Sequence, residues 1–158
     1  DLNKHSLGIE LVNRGHRHGY EKFTALQIKN LIKLCLTLKR KYKIKNSNII
    51  GHSDVAPLRK KDPGEKFPWK QLHKRKVGVW YLKQKFNSAN LTSKKIKNLF
   101  FYNLFRIGYR YLNKNKSSKN NILLIKAFQR RFVQNKITGK IDPKTFKISQ
   151  FLANSIKK

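Results

Sequence analysis

The chain has 158 residues and a formal net charge of +31, from 38 Lys and Arg against seven Asp and Glu. With 39% hydrophobic residues, including ten Phe, six Tyr and two Trp, it can bury a core, which excludes a wholly disordered chain. A single cysteine, Cys35, excludes an intrachain disulfide and a Cys-rich metal site, and no apolar run reaches the roughly 18 residues of a membrane span. The charge has three readings: binding to nucleic acid, attraction to an anionic polymer such as a carboxylate-bearing wall, or a bias toward Lys with no partner behind it. Lys is spread almost evenly and Arg, the better reader of bases, is the rarer cation, so no nucleic-acid signature stands out. The sequence lacks Met and starts at Asp1, so the expectation is a chain from which an N-terminal part has been left out.

In chain order, Leu7, Ile9 and Leu11 alternate with Gly8, Glu10 and Val12, which predicts a strand over residues 6 to 13. A polar loop from Asn13 to Gly19 carries His16 and His18. Thr24 with Gln27 three residues on is a capping box, and the helix it starts runs to about Tyr42. Ile28, Leu31, Ile32, Cys35 and Leu38 share one face of that helix, which makes Cys35 a core residue. Asn48 to Gly51 reads as a short strand that delivers His52 at its end, followed by an ordered irregular loop to Trp69 with three Pro and one Gly. Residues 70 to 91 hold the end of one domain and a linker.

A second pattern begins at Thr92 or Ser93, which caps a helix carrying Ile96, Leu99, Phe100, Asn103 and Leu104. Asn113 to Asn121 reads as a loop, and Ile122 to Phe132 as a helix with Leu124, Ile125, Phe128 and Phe132 on one side. Asp142-Pro143 supplies an N-cap and a Pro at the first helical position, starting a last helix through Ile148, Phe151 and Leu152. The expected organisation is therefore two domains, residues 1–85 and residues 92–158, the second a small module of three helices.

Acids are scarce, yet Asp54 and Asp62 lie within ten residues of His52 and Glu65 follows. Zinc accepts an imidazole nitrogen and a carboxylate oxygen, so His52 and Asp62 are candidate metal ligands that the Pro-rich loop would have to fold together. Read alone, a His and an Asp ten apart are also compatible with purely structural roles. Glu10 by itself is a solvated strand residue, and Lys60 one lysine among many.

The run Gly51-His52-Ser53-Asp54-Val55-Ala56-Pro57, then Arg59-Lys60, Asp62-Pro63-Gly64 and Phe67-Pro68-Trp69, resembles the zinc-dependent N-acetylmuramoyl-L-alanine amidases of the AmpD/AmiD type. Ser6-Leu7-Gly8-Ile9-Glu10 resembles that family's glutamate strand, and the likeness covers residues 1 to about 80. The resemblance implies a mixed α/β central sheet flanked by helices, with the first part of the amidase fold missing. It implies zinc as cofactor, His52 and Asp62 as metal ligands, Glu10 as general base and Lys60 as the cation that steadies the oxyanion. The family's third ligand, a His, is expected upstream of Asp1, so an N-terminal companion segment would complete the domain.

Ala127-Phe128-Gln129-Arg130-Arg131-Phe132 with Thr138-Gly139-Lys140-Ile141-Asp142-Pro143 resembles a peptidoglycan-binding module of three helices. The implied function is hydrolysis of the amide between N-acetylmuramic acid and L-alanine in peptidoglycan or muropeptides. The alternative is a non-catalytic peptidoglycan-binding remnant without a complete zinc site. No nucleic-acid partner and no transmembrane segment are expected. The resemblance implies the cell envelope or periplasm, with the cytoplasm as the other compartment open to it.

Overall fold

The computed structural model describes residues 2–81, 93–110 and 118–156. Six α-helices occur among them: α1 (Ala25–Tyr42), α2 (His52–Val55), α3 (Trp69–Lys74), α4 (Ser93–Ile107), α5 (Ser118–Phe132) and α6 (Pro143–Ser155). Short 3₁₀ turns lie at Leu2–His5 and Asn46–Asn48.

Helix α1 starts where its sequence dictates. The Thr24 hydroxyl accepts from the Gln27 amide at 3.2 Å, and the Gln27 side chain accepts from the Thr24 amide at 2.9 Å, which satisfies two donors that the helix start leaves bare. Lys39, Arg40 and Lys41 in its last turn oppose the negative end of the helix dipole. The helix stops at Lys43, which takes a left-handed φ of 53° and donates its N–H to the Lys39 carbonyl. Its apolar stripe, Ile28, Leu31 and Cys35, packs against Phe67, Trp69, Leu72 and Val77 in one core. Cys35 is buried there, and burial pushes its thiol above the usual value.

The second core belongs to α4, α5 and α6, where Phe100, Leu104, Leu124, Phe128, Phe132, Ile148 and Leu152 are wholly or almost wholly buried. Helix α6 begins on Asp142, whose carboxylate accepts from the Thr145 amide at 2.8 Å, with Pro143 in its first turn. The buried Asn103 amide on α4 donates to the Ser149 hydroxyl on α6 at 3.1 Å, so this polar pair is satisfied inside the core. Trp80 packs against both cores.

The expected mixed sheet is not there: no strand occurs among the described residues. A strand is held by the ladder of a neighbour, and residues 6 to 13 have none among the described residues. The alternation is real, but Leu7, Ile9 and Val12 are 55, 38 and 89% exposed. This segment is tethered by side chains, with Gln27 donating to the Val12 carbonyl at 2.7 Å and Asn13 to the Glu21 carbonyl at 3.1 Å. The predicted strand at residues 48 to 51 is a 3₁₀ turn and an irregular stretch, and the Ile49 carbonyl accepts from Arg131 at 3.0 Å instead of from a sheet neighbour. His52 accordingly opens a helix rather than closing a strand.

Helix α5 starts four residues earlier than its apolar pattern suggests, at Ser118 in place of Ile122. The predicted cap at Thr92 and the boundary near residue 85 lie outside the described residues, as does most of the loop predicted before Asn121.

Candidate metal centre

Gly51 caps α2: its carbonyl accepts from the Asp54 amide at 3.0 Å, and its own amide donates to the Asp54 carboxylate at 2.8 Å. The turn is closed by the Ala56 amide on the His52 carbonyl at 2.9 Å and by the Lys60 amide on the Ala56 carbonyl at 2.9 Å. The chain then returns, and the Ser53 amide donates to the Asp62 carbonyl at 2.8 Å. That single bond brings together the backbones on which the two predicted ligands sit. The His52 Nδ1 and Asp62 Oδ2 atoms lie 2.9 Å apart, with side chains 43 and 58% exposed.

The donor chemistry of this pair suits zinc, which takes neutral imidazole nitrogen and carboxylate oxygen. The donor number falls short. A catalytic zinc takes about three protein ligands, and no group of three or more His, Cys, Asp or Glu that could hold a metal occurs among the described residues. His5 is exposed in the first 3₁₀ turn, and the His73 ring hydrogen-bonds the Gly78 carbonyl at 3.2 Å. Glu10 is exposed, and its carboxylate has no partner among the described residues. Lys60 is partly exposed at the end of the α2 turn.

Two constellations here were not legible in the sequence. The first joins the loop at His16 to the turn after Asp62. His16 Nε2 lies 3.1 Å from Glu65 Oε2, and its ring stacks on Tyr20 at 4.4 Å. Tyr20 donates its hydroxyl to the Pro63 carbonyl at 2.8 Å and accepts from the Lys66 amide at 2.8 Å. Burial pushes the Tyr20 hydroxyl up to about 12, so it remains a donor. Burial, the largest single influence, would raise the Glu65 carboxyl, but the His16 hydrogen bond, a backbone hydrogen bond and the His16 and Arg130 charges together outweigh it and leave Glu65 below the usual range. Gly64, at φ 82°, has no room for a side chain, since a Cβ there would sit 2.6 Å from the Tyr20 hydroxyl.

The second constellation is a buried knot behind α2. Asp54 accepts from Tyr109 at 2.6 Å and pairs with Arg131, whose guanidinium also lies over the Trp69 ring at 4.1 Å. Burial and then the Asp54 charge push the Tyr109 hydroxyl well above its ordinary value. The scarcity of acids singles out Asp54 as a residue worth a partner, but nothing in the sequence points to Arg131 or Tyr109 as that partner.

The class is indicated by comparison with known proteins and not by the donor pair alone. Residues 1–65 match the model of the N-acetylmuramoyl-L-alanine amidase family. Among particular relatives, the chain is 34% identical over 161 residues to N-acetylmuramoyl-L-alanine amidase AmiD of Escherichia coli (strain K12), a match covering 96% of this chain and 58% of AmiD. It is 39% identical over 71 residues to 1,6-anhydro-N-acetylmuramyl-L-alanine amidase AmpD of Enterobacter cloacae, covering 45% of this chain and 36% of that protein.

Solved structures agree. E. coli AmiD in complex with the substrate anhydro-N-acetylmuramic acid-L-Ala-D-gamma-Glu-L-Lys superposes with a TM-score of 0.77 at 28% identity, over 87% of this chain and 55% of that one. Pseudomonas aeruginosa AmpDh3 superposes with a TM-score of 0.73 at 25% identity, over 87% of this chain and 56% of that one. The chain thus spans little more than half the length of AmiD and AmpDh3.

Proposed function

We propose that this chain serves hydrolysis of the amide between N-acetylmuramic acid and L-alanine in peptidoglycan or muropeptides. The observation that carries the reading is the His52–Asp62 pair, 2.9 Å apart and open to solvent, in a segment that matches the amidase family. His52 and Asp62 are proposed as two zinc ligands, the third donor coming from outside the described residues. Zinc, when bound, supplies an acidified water and polarises the scissile carbonyl. Glu10 is proposed as the base that takes the proton from the attacking water and returns it to the leaving amine. Lys60 is proposed as the cation that stabilises the oxyanion of the tetrahedral intermediate.

The division into an amidase part, residues 1–85, and a peptidoglycan-binding module, residues 92–158, belongs to the same proposal. So does the cell envelope or periplasm as the working compartment. No helix among the described residues is long and apolar enough to cross a membrane. Duplex DNA is not an expected partner.

A second reading, a peptidoglycan-binding remnant without catalysis, is favoured by one observation: the described residues offer two donors, not three. Zinc content per purified chain separates the two. About one zinc, lost in His52→Ala, together with cleavage of anhydro-muropeptides, supports the enzyme. Absence of zinc with retained binding to peptidoglycan overturns it in favour of the remnant.

A further inference from the structure

The helical part of the chain reaches into the candidate metal centre from behind. Arg131, at the end of α5, pairs with Asp54 and donates to the Ile49 carbonyl at 3.0 Å. Ile49 lies three residues before His52 and Asp54 two residues after it, so one guanidinium grips the backbone on both sides of the histidine. The side chains of Arg131 and Asp54 are only 4 and 7% exposed. Tyr109, just past the end of α4, donates to the other Asp54 oxygen at 2.6 Å. Gln134 adds a bond to the Phe67 carbonyl at 2.6 Å.

Such a pair is a poor device for stability. Desolvating two charges offsets much of their attraction, and apolar residues of the same volume often do as well. Arg131 Nε is moreover buried without a hydrogen-bond partner among the described residues, a further cost. What a planar, forked guanidinium does supply is direction. Gly51 is packed so closely on this side that a Cβ would meet Pro63 Cδ at 2.6 Å and Trp69 at 3.2 Å. The path of the backbone from Ile49 to Asp54 therefore transmits directly to the Ser53–Asp62 bond that aligns the candidate ligands.

We propose that Arg131 and Tyr109 are positioning residues for the His52–Asp62 pair, acting through Asp54, and that the helical module is part of the site's support and not only a wall-binding appendage. The metal arm of this inference rests on reading His52 and Asp62 as ligands; the alignment arm does not.

The test compares the wild-type chain with Arg131→Met, Arg131→Lys, Tyr109→Phe and Phe100→Leu, a core change that does not touch Asp54. Because Arg131→Met strands a buried carboxylate, the double variant Asp54→Asn/Arg131→Met serves where the single one fails to fold. Amide exchange of Ser53 and the ring resonances of His52 are followed without metal. Arg131→Met, or the double variant, is expected to speed Ser53 exchange by about tenfold beyond the change in global stability, and Arg131→Lys to restore part of the protection. Phe100→Leu is expected to shift only global stability. Zinc titration should show about a tenfold weaker site in the Arg131 variants.

Unchanged Ser53 exchange and unchanged His52 resonances in the Arg131 and Tyr109 variants overturn the inference. If the wild type takes up no zinc while Ser53 exchange still responds to Arg131, the functional reading falls and the positioning role stands.

Discussion

Residues 2–81 and the helical region from Ser93 onward bury their apolar residues to different degrees. In the helical region α4, α5 and α6 surround Phe100, Phe128, Phe132 and Leu152, and aromatic rings meet edge-on or tilted, as Phe100 and Phe128 do at 5.5 Å. In the first region α1 covers one side only, and Leu7, Ile9, Val12 and Leu26 face solvent. The candidate ligands and the larger buried core thus lie in different regions. The candidate ligands sit on a loop of the thinly packed region, and the densely packed region holds that loop through Arg131, Tyr109 and Gln134.

The comparison is broken if the helical core proves dispensable. Phe128→Ala should lower stability by about 3–5 kcal/mol in denaturant unfolding, because the cavity is walled by helices that cannot collapse onto it. A loss below about 1 kcal/mol would show that this core is not where stability resides. Gly139→Ala comes next, at roughly 1–3 kcal/mol: φ is 75° and the new Cβ would meet Ile122 at 2.8 Å. In the first region Thr24→Ala should cost about 1 kcal/mol, the worth of an N-cap, read as a drop in melting temperature.

The His16–Glu65 contact sharpens the contrast through pH. Glu65 sits below its ordinary value when folded, so its contribution is present above the ordinary glutamate range, near about 4.3, and is lost as pH falls through the lower folded value. His16→Gln should flatten the fall of melting temperature in that acidic window while leaving neutral stability almost unchanged. The smallest effect expected is for Val12→Ser, within about 0.5 kcal/mol, since the side chain is exposed already.

Much of the local structure was legible from residues close in sequence. The Thr24–Gln27 box, the end of α1 at Tyr42 and the Asp142–Pro143 start of α6 all stand where the sequence puts them, because caps and apolar stripes need only neighbours within a turn or two. The pairing of His52 with Asp62 was legible as well, though through family likeness and not through spacing. The strands were misread at residues 6 to 13 and 48 to 51. Alternation states which faces a strand would offer and says nothing about whether a neighbour exists to bond it.

By itself, then, the sequence determined α1, α4, α6 and most of α5 with their apolar faces, and the segment that carries the two donors, whereas α2 and α3 fell in stretches read as irregular or mixed. Tertiary structure alone decided that Ile49 would bond Arg131 instead of a neighbouring strand, that His16 would meet Glu65 across 49 residues, and that Asp54 would find its counter-ion 77 residues away. The physical reason is the same each time. Hydrogen-bonding capacity and charge belong to a residue, but which partner satisfies them in a desolvated interior depends on how distant segments pack.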